Sequence, residues 1–142
     1  MHLTIDGFGG DRELLSSEAI VRSLLDVYPG EINMTKISEP FVLQYTGEKP
    51  EDWGVTGFVI IAESHISVHT FPDRGYVWVD IFSCKEFEAD GALDRIIDTF
   101  GLTHVTTDIH DRGLEFPHAV DKATPVAMLE RRSVTGALSG RS

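Results

Sequence analysis

Cysteine is almost missing from this chain: Cys84 stands alone in 142 residues, which excludes an internal disulfide and leaves one reduced thiol available. No long apolar run is present, so no membrane-spanning helix is expected, and the first residues lack the pattern of a secretory signal. A cytoplasmic location is the resulting expectation. Positive charge is also scarce, with 12 Lys and Arg against 23 Asp and Glu and a net charge of −11. Such a surface repels phosphate backbones and anionic bilayers, which argues against nucleic-acid and membrane partners and favours a cationic or amine-bearing small molecule. With 42% hydrophobic residues, the chain can bury one core. A single domain over residues 1–132 is expected, followed by a disordered tail, "SVTGALSGRS", at 133–142.

Strand and helix patterns alternate without a linker between them. "HLTID" (His2 to Asp6) alternates, and the glycines of "GFGGD" end it in a turn. From Ser16 to Tyr28, the residues Ile20, Val21, Leu24, Leu25 and Tyr28 fall at helical spacing, with Pro29-Gly30 as the expected stop. "EINMTKI" and "FVLQY" read as strands, "TGEKPEDWG" as a polar loop, and Thr56 to Glu63, His65 to Phe71 and Tyr76 to Cys84 as three more strands. "DGALDRIIDTFG" reads as a second helix, with Asp90 as N-cap and Gly101 as its end, before a last strand in "THVTTDIH". This order predicts an α+β fold, a two-layer sandwich with a mainly antiparallel sheet and the helices on one face.

One stretch breaks the apolar pattern. In "AESHISVHTF", Ala62 to Phe71, an acid, two serines and two histidines interrupt strands whose "GFVII" lead-in, with Phe58 and Ile60 on one face and Val59 and Ile61 on the other, predicts burial on both sides. A buried polar group left unpaired costs roughly 1 to 3 kcal/mol, so either a hydrogen-bond network or a function must compensate. Bringing Ser64 and His69 together requires a bend, which is expected at the Glu63–Ser64 bond. A metal site made of His65, His69 and Cys84 lacks any close-spaced ligand pair, and a serine hydrolase lacks its G-x-S-x-G elbow. A core network of mutually satisfied serines and histidines stays open on the residues alone.

"AESHISVHTFPDRGYVWVDIFSC", Ala62 to Cys84, resembles the defining segment of the bacterial and archaeal S-adenosylmethionine decarboxylase proenzymes, which depend on a pyruvoyl group. Weaker likeness extends to "HLTIDGFGGDRELL" and to "GVTG" at Gly54 to Gly57. The resemblance implies an αββα homodimer of self-cleaved units, each cut between Glu63 and Ser64 into a β chain, 1–63, and an α chain, 64–142. It implies that Ser64 is the nucleophile and the source of the pyruvoyl cofactor, that His69 is the processing base, and that Thr56 takes the place of a processing serine. The pyruvoyl ketone condenses with a substrate amine and accepts electrons as carbon dioxide leaves. Cys84 then stands at the family's proton-donor position, although an isolated cysteine also suits a packing role.

Substrate is less fixed by the resemblance. Family members acting on S-adenosylmethionine usually carry a phenylalanine in an F-x-P-x-G stretch, where this chain reads "KPEDWGVTG" with Pro50 at that place, and Asp73 stands where the family has glutamate. Trp53 or Phe71 could supply the ring, with Asp73 beside them. S-adenosylmethionine is the leading substrate, giving decarboxylated S-adenosylmethionine for polyamine synthesis. The alternative is L-ornithine or L-arginine, whose distal cation would meet Asp6, Glu51, Asp52 or Asp73. A non-catalytic paralogue that binds or activates a partner is the remaining class; retention of Ser64, His69 and Cys84 together weighs against it.

Overall fold

Leu3, Ile5 and Gly7 of the first strand point inward and Thr4 and Asp6 outward, the alternation that a sheet covered on one face requires. The computed structural model describes residues 1–112; the expected domain limit at 132 and the expected tail lie outside them. Element order is β1 (His2–Phe8), α1 (Arg12–Leu15), α2 (Glu18–Glu31), β2 (Phe41–Thr46), β3 (Trp53–Ile61), β4 (Ser64–Phe71), β5 (Tyr76–Ser83), α3 (Ala89–Phe100) and β6 (His104–His110). The strands form one sheet in the order β2-β3-β4-β5-β1-β6 with antiparallel neighbours throughout. Val21, Leu24 and Leu25 of α2 and Leu93, Ile96 and Phe100 of α3 close over Ile5, Val59, Val68 and Val79 to make the core. Each such side chain contributes roughly 1.5 to 3 kcal/mol when fully buried. The expected α+β sandwich is observed.

Local chemistry accounts for several joints. Thr70 is fully buried, and its hydroxyl donates to the Leu15 carbonyl at 2.7 Å while accepting from the Val55 amide at 2.9 Å, so one side chain ties the α1 turn to the sheet. At Gly54 a Cβ would lie 2.0 Å from the Thr70 carbonyl oxygen, so the closeness of β3 to β4 there admits only glycine. Gly101, at φ 65°, ends α3 as expected.

Four expectations fail for identifiable reasons. The first long helix runs through Pro29-Gly30 to Glu31: Pro29 gives up one amide bond to the Leu25 carbonyl, but its ring is buried beside Tyr28 in the last turn, and Asn33 at φ 58° with a Met34 amide bond back to the Pro29 carbonyl ends the helix instead. "EINMTKI" is consequently not a strand. Among the described residues its only ladder contact is the Lys36–Ile61 bridge, and the sheet they form has six strands rather than seven. Glu88, not Asp90, precedes α3 as its N-cap, and it makes no side-chain cap bond. Finally, β3 is covered on one side only: Phe58 and Ile60 remain 43% and 42% exposed. With Phe41, Leu43 and Trp78 they give the face opposite the helices an apolar half that nothing in the described chain covers.

Candidate functional site

The residues singled out in the sequence separate into two groups, one at each end of β4. At its start, Ile61 pairs with Ser64, so Ala62 and Glu63 form the two-residue loop of a β-hairpin. The chain does not bend within a buried strand there; it reverses, and Ala62 is exposed while Glu63 and Ser64 are half-buried. The loop is braced from outside the sheet. The Ala62 amide donates to the Thr35 carbonyl at 2.8 Å, and the Thr35 amide donates to Glu63 Oε1 at 3.0 Å. This gives the irregular segment after α2 a role that its apolar alternation concealed.

The Glu63–Ser64 peptide is held with unusual definition. Across the sheet, Ser64 pairs with Ser83, and the next amide, that of Cys84, donates to the Glu63 carbonyl oxygen at 2.9 Å. Ser64 takes φ 157°, outside the ordinary range of an L-residue in a strand. Its Oγ lies 3.1 Å from His65 Nδ1. Cys84 is a free, exposed cysteine just beyond β5. A carbonyl with a donor already on its oxygen, a hydroxyl on the following residue and an imidazole on that hydroxyl are the parts needed for attack on the peptide bond.

At the other end of β4, Thr56, His69 and Trp78 lie on one rung across β3, β4 and β5. The His69 ring stacks between Tyr45 at 4.3 Å and Trp78 at 5.7 Å, with Phe71 edge-on at 4.9 Å. Burial among these rings lowers the His69 pKa from its usual 6.5, which keeps the imidazole neutral and able to accept a proton. Tyr45 is anchored by its hydroxyl, which donates to the Thr70 carbonyl. Burial, assisted by the charge of Asp52, pushes that phenol up to about 12. Beside this cluster, Asp73 accepts from Trp53 Nε1 and from Arg12 Nε, each at 2.8 Å. Those two hydrogen bonds, Trp53 first, hold its carboxyl below the usual carboxylate range. The Arg12 guanidinium also lies 5.5 Å from the Trp53 ring centroid.

The structure thus unites Glu63, Ser64 and the Cys84 main chain at one end, and Thr56, His69, Phe71, Trp53 and Asp73 at the other. Within one chain it does not bring Ser64 and His69 together. They are five residues apart on one strand, about 17 Å at the usual rise. His65 and His69, read in the sequence as possible metal ligands, are four rungs apart on β4, and among the described residues no three His, Cys, Asp or Glu side chains converge. Of the carboxylates considered for a substrate cation, Glu51 and Asp52 are paired with Arg74, and Asp73 with Arg12. Asp6 lies on the open face, its pKa raised by burial and then by neighbouring Asp80.

Four residues at these two ends went unremarked in the sequence in the roles they occupy: His65 against Ser64, and Tyr45, Trp78 and Arg12 around His69 and Asp73. Trp78 was findable, since a turn at "PDRG" that pairs Phe71 with Tyr76 also pairs His69 with Trp78. Tyr45 and Arg12 reach the cluster through contacts that no local pattern encodes.

Comparison with known proteins bears on the same segments. A family model described as S-adenosylmethionine decarboxylase matches residues 1–113, a span that includes both ends of β4. A protein of Hydrogenobaculum sp. (strain Y04AAS1) named S-adenosylmethionine decarboxylase proenzyme is 38% identical over 117 residues, covering 80% of this chain and 81% of that one. Proteins of the same name from Archaeoglobus fulgidus and Aquifex aeolicus are 36% and 34% identical, over 79% and 80% of this chain and 96% and 81% of theirs. With the match running through the hairpin that carries Ser64 and the strand that carries His69, the chain belongs to the S-adenosylmethionine decarboxylase family.

Proposed function

We propose that this chain is a proenzyme that cuts itself between Glu63 and Ser64 and then decarboxylates S-adenosylmethionine. The observation that carries this reading is the geometry of the hairpin: the Glu63 carbonyl accepts from the Cys84 amide while Ser64 Oγ stands on the adjoining residue. Attack by Ser64 Oγ on that carbonyl turns the amide into an ester, and removal of the Ser64 α-proton then eliminates the Glu63 carboxylate. Elimination leaves a dehydroalanine at residue 64, whose imine tautomer takes up water and releases ammonia, so the products are a β chain, 1–63, and an α chain beginning at the converted residue 64.

The residues around Ser64 fit the pyruvoyl group the family depends on: the position is half-buried, next to a free thiol, and backed by a donor from Cys84. When formed, the group supplies a ketone that holds the substrate amine and withdraws electrons as carbon dioxide leaves. Cys84 Sγ gives a proton to the substrate carbon left by that departure.

His69 takes part from a second copy. The open face of the sheet is apolar at Phe41, Leu43, Phe58, Ile60 and Trp78, and two such faces packed about 10 Å apart would cover it. A two-fold axis between the sheets over Ile66 and Ser67, midway between Ser64 and His69, lays residue 64 of one chain over residue 69 of the other. The aromatic end of one chain, with Thr56, His69, Phe71 and Trp53, then completes the cut end of its partner in a homodimer. Adenosylmethionine is favoured over ornithine or arginine because Glu51, Asp52 and Asp73 already neutralise Arg74 and Arg12, while Trp53 and Phe71 offer rings to an adenine.

Denaturing electrophoresis and intact mass measurement test the proposal. Two fragments, the smaller ending at Glu63, are expected from the wild-type chain, with carbon dioxide released from labelled adenosylmethionine and not from ornithine or arginine. A chain that stays whole after prolonged incubation would refute it.

A further inference from the structure

We propose that His65 is the base that starts self-cleavage, taking the proton from Ser64 Oγ within the same chain. The inference rests on the self-cleavage reading and adds a residue and a division of labour to it. His65 Nδ1 lies 3.1 Å from Ser64 Oγ; with its own proton on Nε2, the ring accepts a hydrogen bond from that hydroxyl. Its orientation is set on β5, where Phe82, the cross-strand partner of His65, meets the ring edge-to-face at 5.8 Å and 73°. The Arg112 guanidinium lies 4.0 Å from the Phe82 ring centroid and pins that ring in turn. His69, five residues along β4, is out of reach of the same hydroxyl in one chain.

The step balances without a co-reactant. His65 Nδ1 takes the Oγ proton as Oγ bonds to the Glu63 carbonyl carbon. The carbonyl π pair moves onto the oxygen that already accepts from the Cys84 amide at 2.9 Å. The carbon–nitrogen bond then breaks, its electron pair remaining on the Ser64 nitrogen, which receives the proton back from His65. An ester and a free amine remain. Two imidazoles therefore serve two successive proton transfers: His65 the hydroxyl proton before the ester, His69 of a second copy the α-proton after it.

The test follows the full-length chain on denaturing gels, with and without hydroxylamine, which splits an ester but not an amide. His65→Ala should slow cleavage by about 10² to 10⁴-fold, the usual worth of a general base, and should accumulate chain that hydroxylamine leaves whole. His69→Ala should instead accumulate chain that hydroxylamine splits. Added imidazole should partly restore His65→Ala. The same change is then made in a Ser64→Cys chain at pH 8.5, where a thiol with a pKa of about 8.5 is substantially ionised and needs little help from a base. There the loss on adding His65→Ala should shrink to under about threefold. Equal losses in both backgrounds would assign His65 a purely structural part and overturn the proposal, as would an ester that accumulates in His65→Ala or cleavage at the wild-type rate. A wild-type chain that never cuts, run in the adjacent lane, would instead refute the self-cleavage reading.

Discussion

At the Ser64 end of β4 the reacting groups are positioned by main-chain hydrogen bonds, whereas at the Phe71 end they are positioned by stacked rings and ion pairs. The Glu63 carbonyl, the Cys84 amide and the Thr35 amide fix the first end to within hydrogen-bond tolerance, and the loop they hold is open to water. His69 at the second end owes its place to Tyr45, Trp78 and Phe71, and owes its lowered pKa to the burial they impose. The difference follows from what each end must do. A peptide bond that will be broken needs its carbonyl polarised in a fixed direction, which main-chain donors do well. A base that must stay neutral, and a surface that must receive a nucleoside, need apolar area instead.

The largest effect expected is all or none. If the two ends cooperate only across a dimer, a Ser64→Ala chain alone never cuts and a His69→Ala chain alone stalls as an ester. Mixed dimers formed by co-expressing the two should mature, because the Ser64→Ala chain brings an intact His69 to the intact Ser64 of its partner. Fragments seen in the mixture and in neither chain alone would establish the shared site. Their absence would mean that each chain uses its own His69, and the separation of about 17 Å would have to close by a large rearrangement.

A second change divides the Ser64 end from within. Cys84 acts through its main-chain amide during cleavage and through its thiol during turnover, so Cys84→Ala keeps the first and deletes the second. Cleavage is expected at close to the wild-type rate, while decarboxylation falls about 10²-fold or more. Single-turnover measurements on the matured variant check this. Equal turnover would leave Cys84 only its main-chain part.

A smaller effect belongs to the aromatic end. Stacking of a base on an aromatic ring contributes roughly 1 to 3 kcal/mol, so Trp53→Ala should raise the KM for adenosylmethionine about tenfold with cleavage unaffected. Asp73→Asn should do less. The amide oxygen still accepts from Trp53 Nε1, and only the exposed Arg12 pair is weakened. A Trp53→Ala enzyme with unchanged KM would return the adenine to Phe71 or Trp78.

How much of this was legible beforehand differs between the two ends for a physical reason. Glu63, Ser64 and Cys84 lie in one continuous segment whose residue types are themselves unusual in a strand, so the sequence marked the place. Even so, periodicity implied a doubly buried strand, because apolar residues that await a second copy look the same in a sequence as residues buried in their own chain. Phe58 and Ile60 show this directly. The surroundings of His69 were far less readable: Tyr45 meets it through a β2–β3 register that is set over a long loop, and Arg12 arrives from a four-residue helix. The helix passes Pro29 at the loss of one amide bond because that ring is buried in its last turn, and the left-handed Asn33 carries the stop signal instead.

The smallest effect expected separates the ends by pH. His69 has a folded-state pKa below the 6.5 of a free imidazole, so the unfolded chain binds more protons than the folded one as pH falls through and below 6.5. Stability should therefore be full above that value and decline as acid is added, with the decline ending once the folded-state pKa is passed. Asp73 does not interfere near neutrality, because its lowered pKa places its own loss below the usual 3.8. Asp6 has the opposite sign: its raised pKa adds stability as pH falls toward and below that pKa. Urea unfolding of the uncut Ser64→Ala chain at pH 7.5 and 5.5, repeated with His69→Gln added, isolates the histidine. The loss of stability on going to pH 5.5 should shrink when glutamine replaces the ring. The same lowered pKa should keep the ester-resolving step working somewhat below pH 6.5, so its acid limb in the wild-type chain should lie on the acid side of that value. A limb at or above 6.5 would mean that the ring stack does not keep His69 neutral during reaction, and that the partner chain adds a charge to the aromatic end.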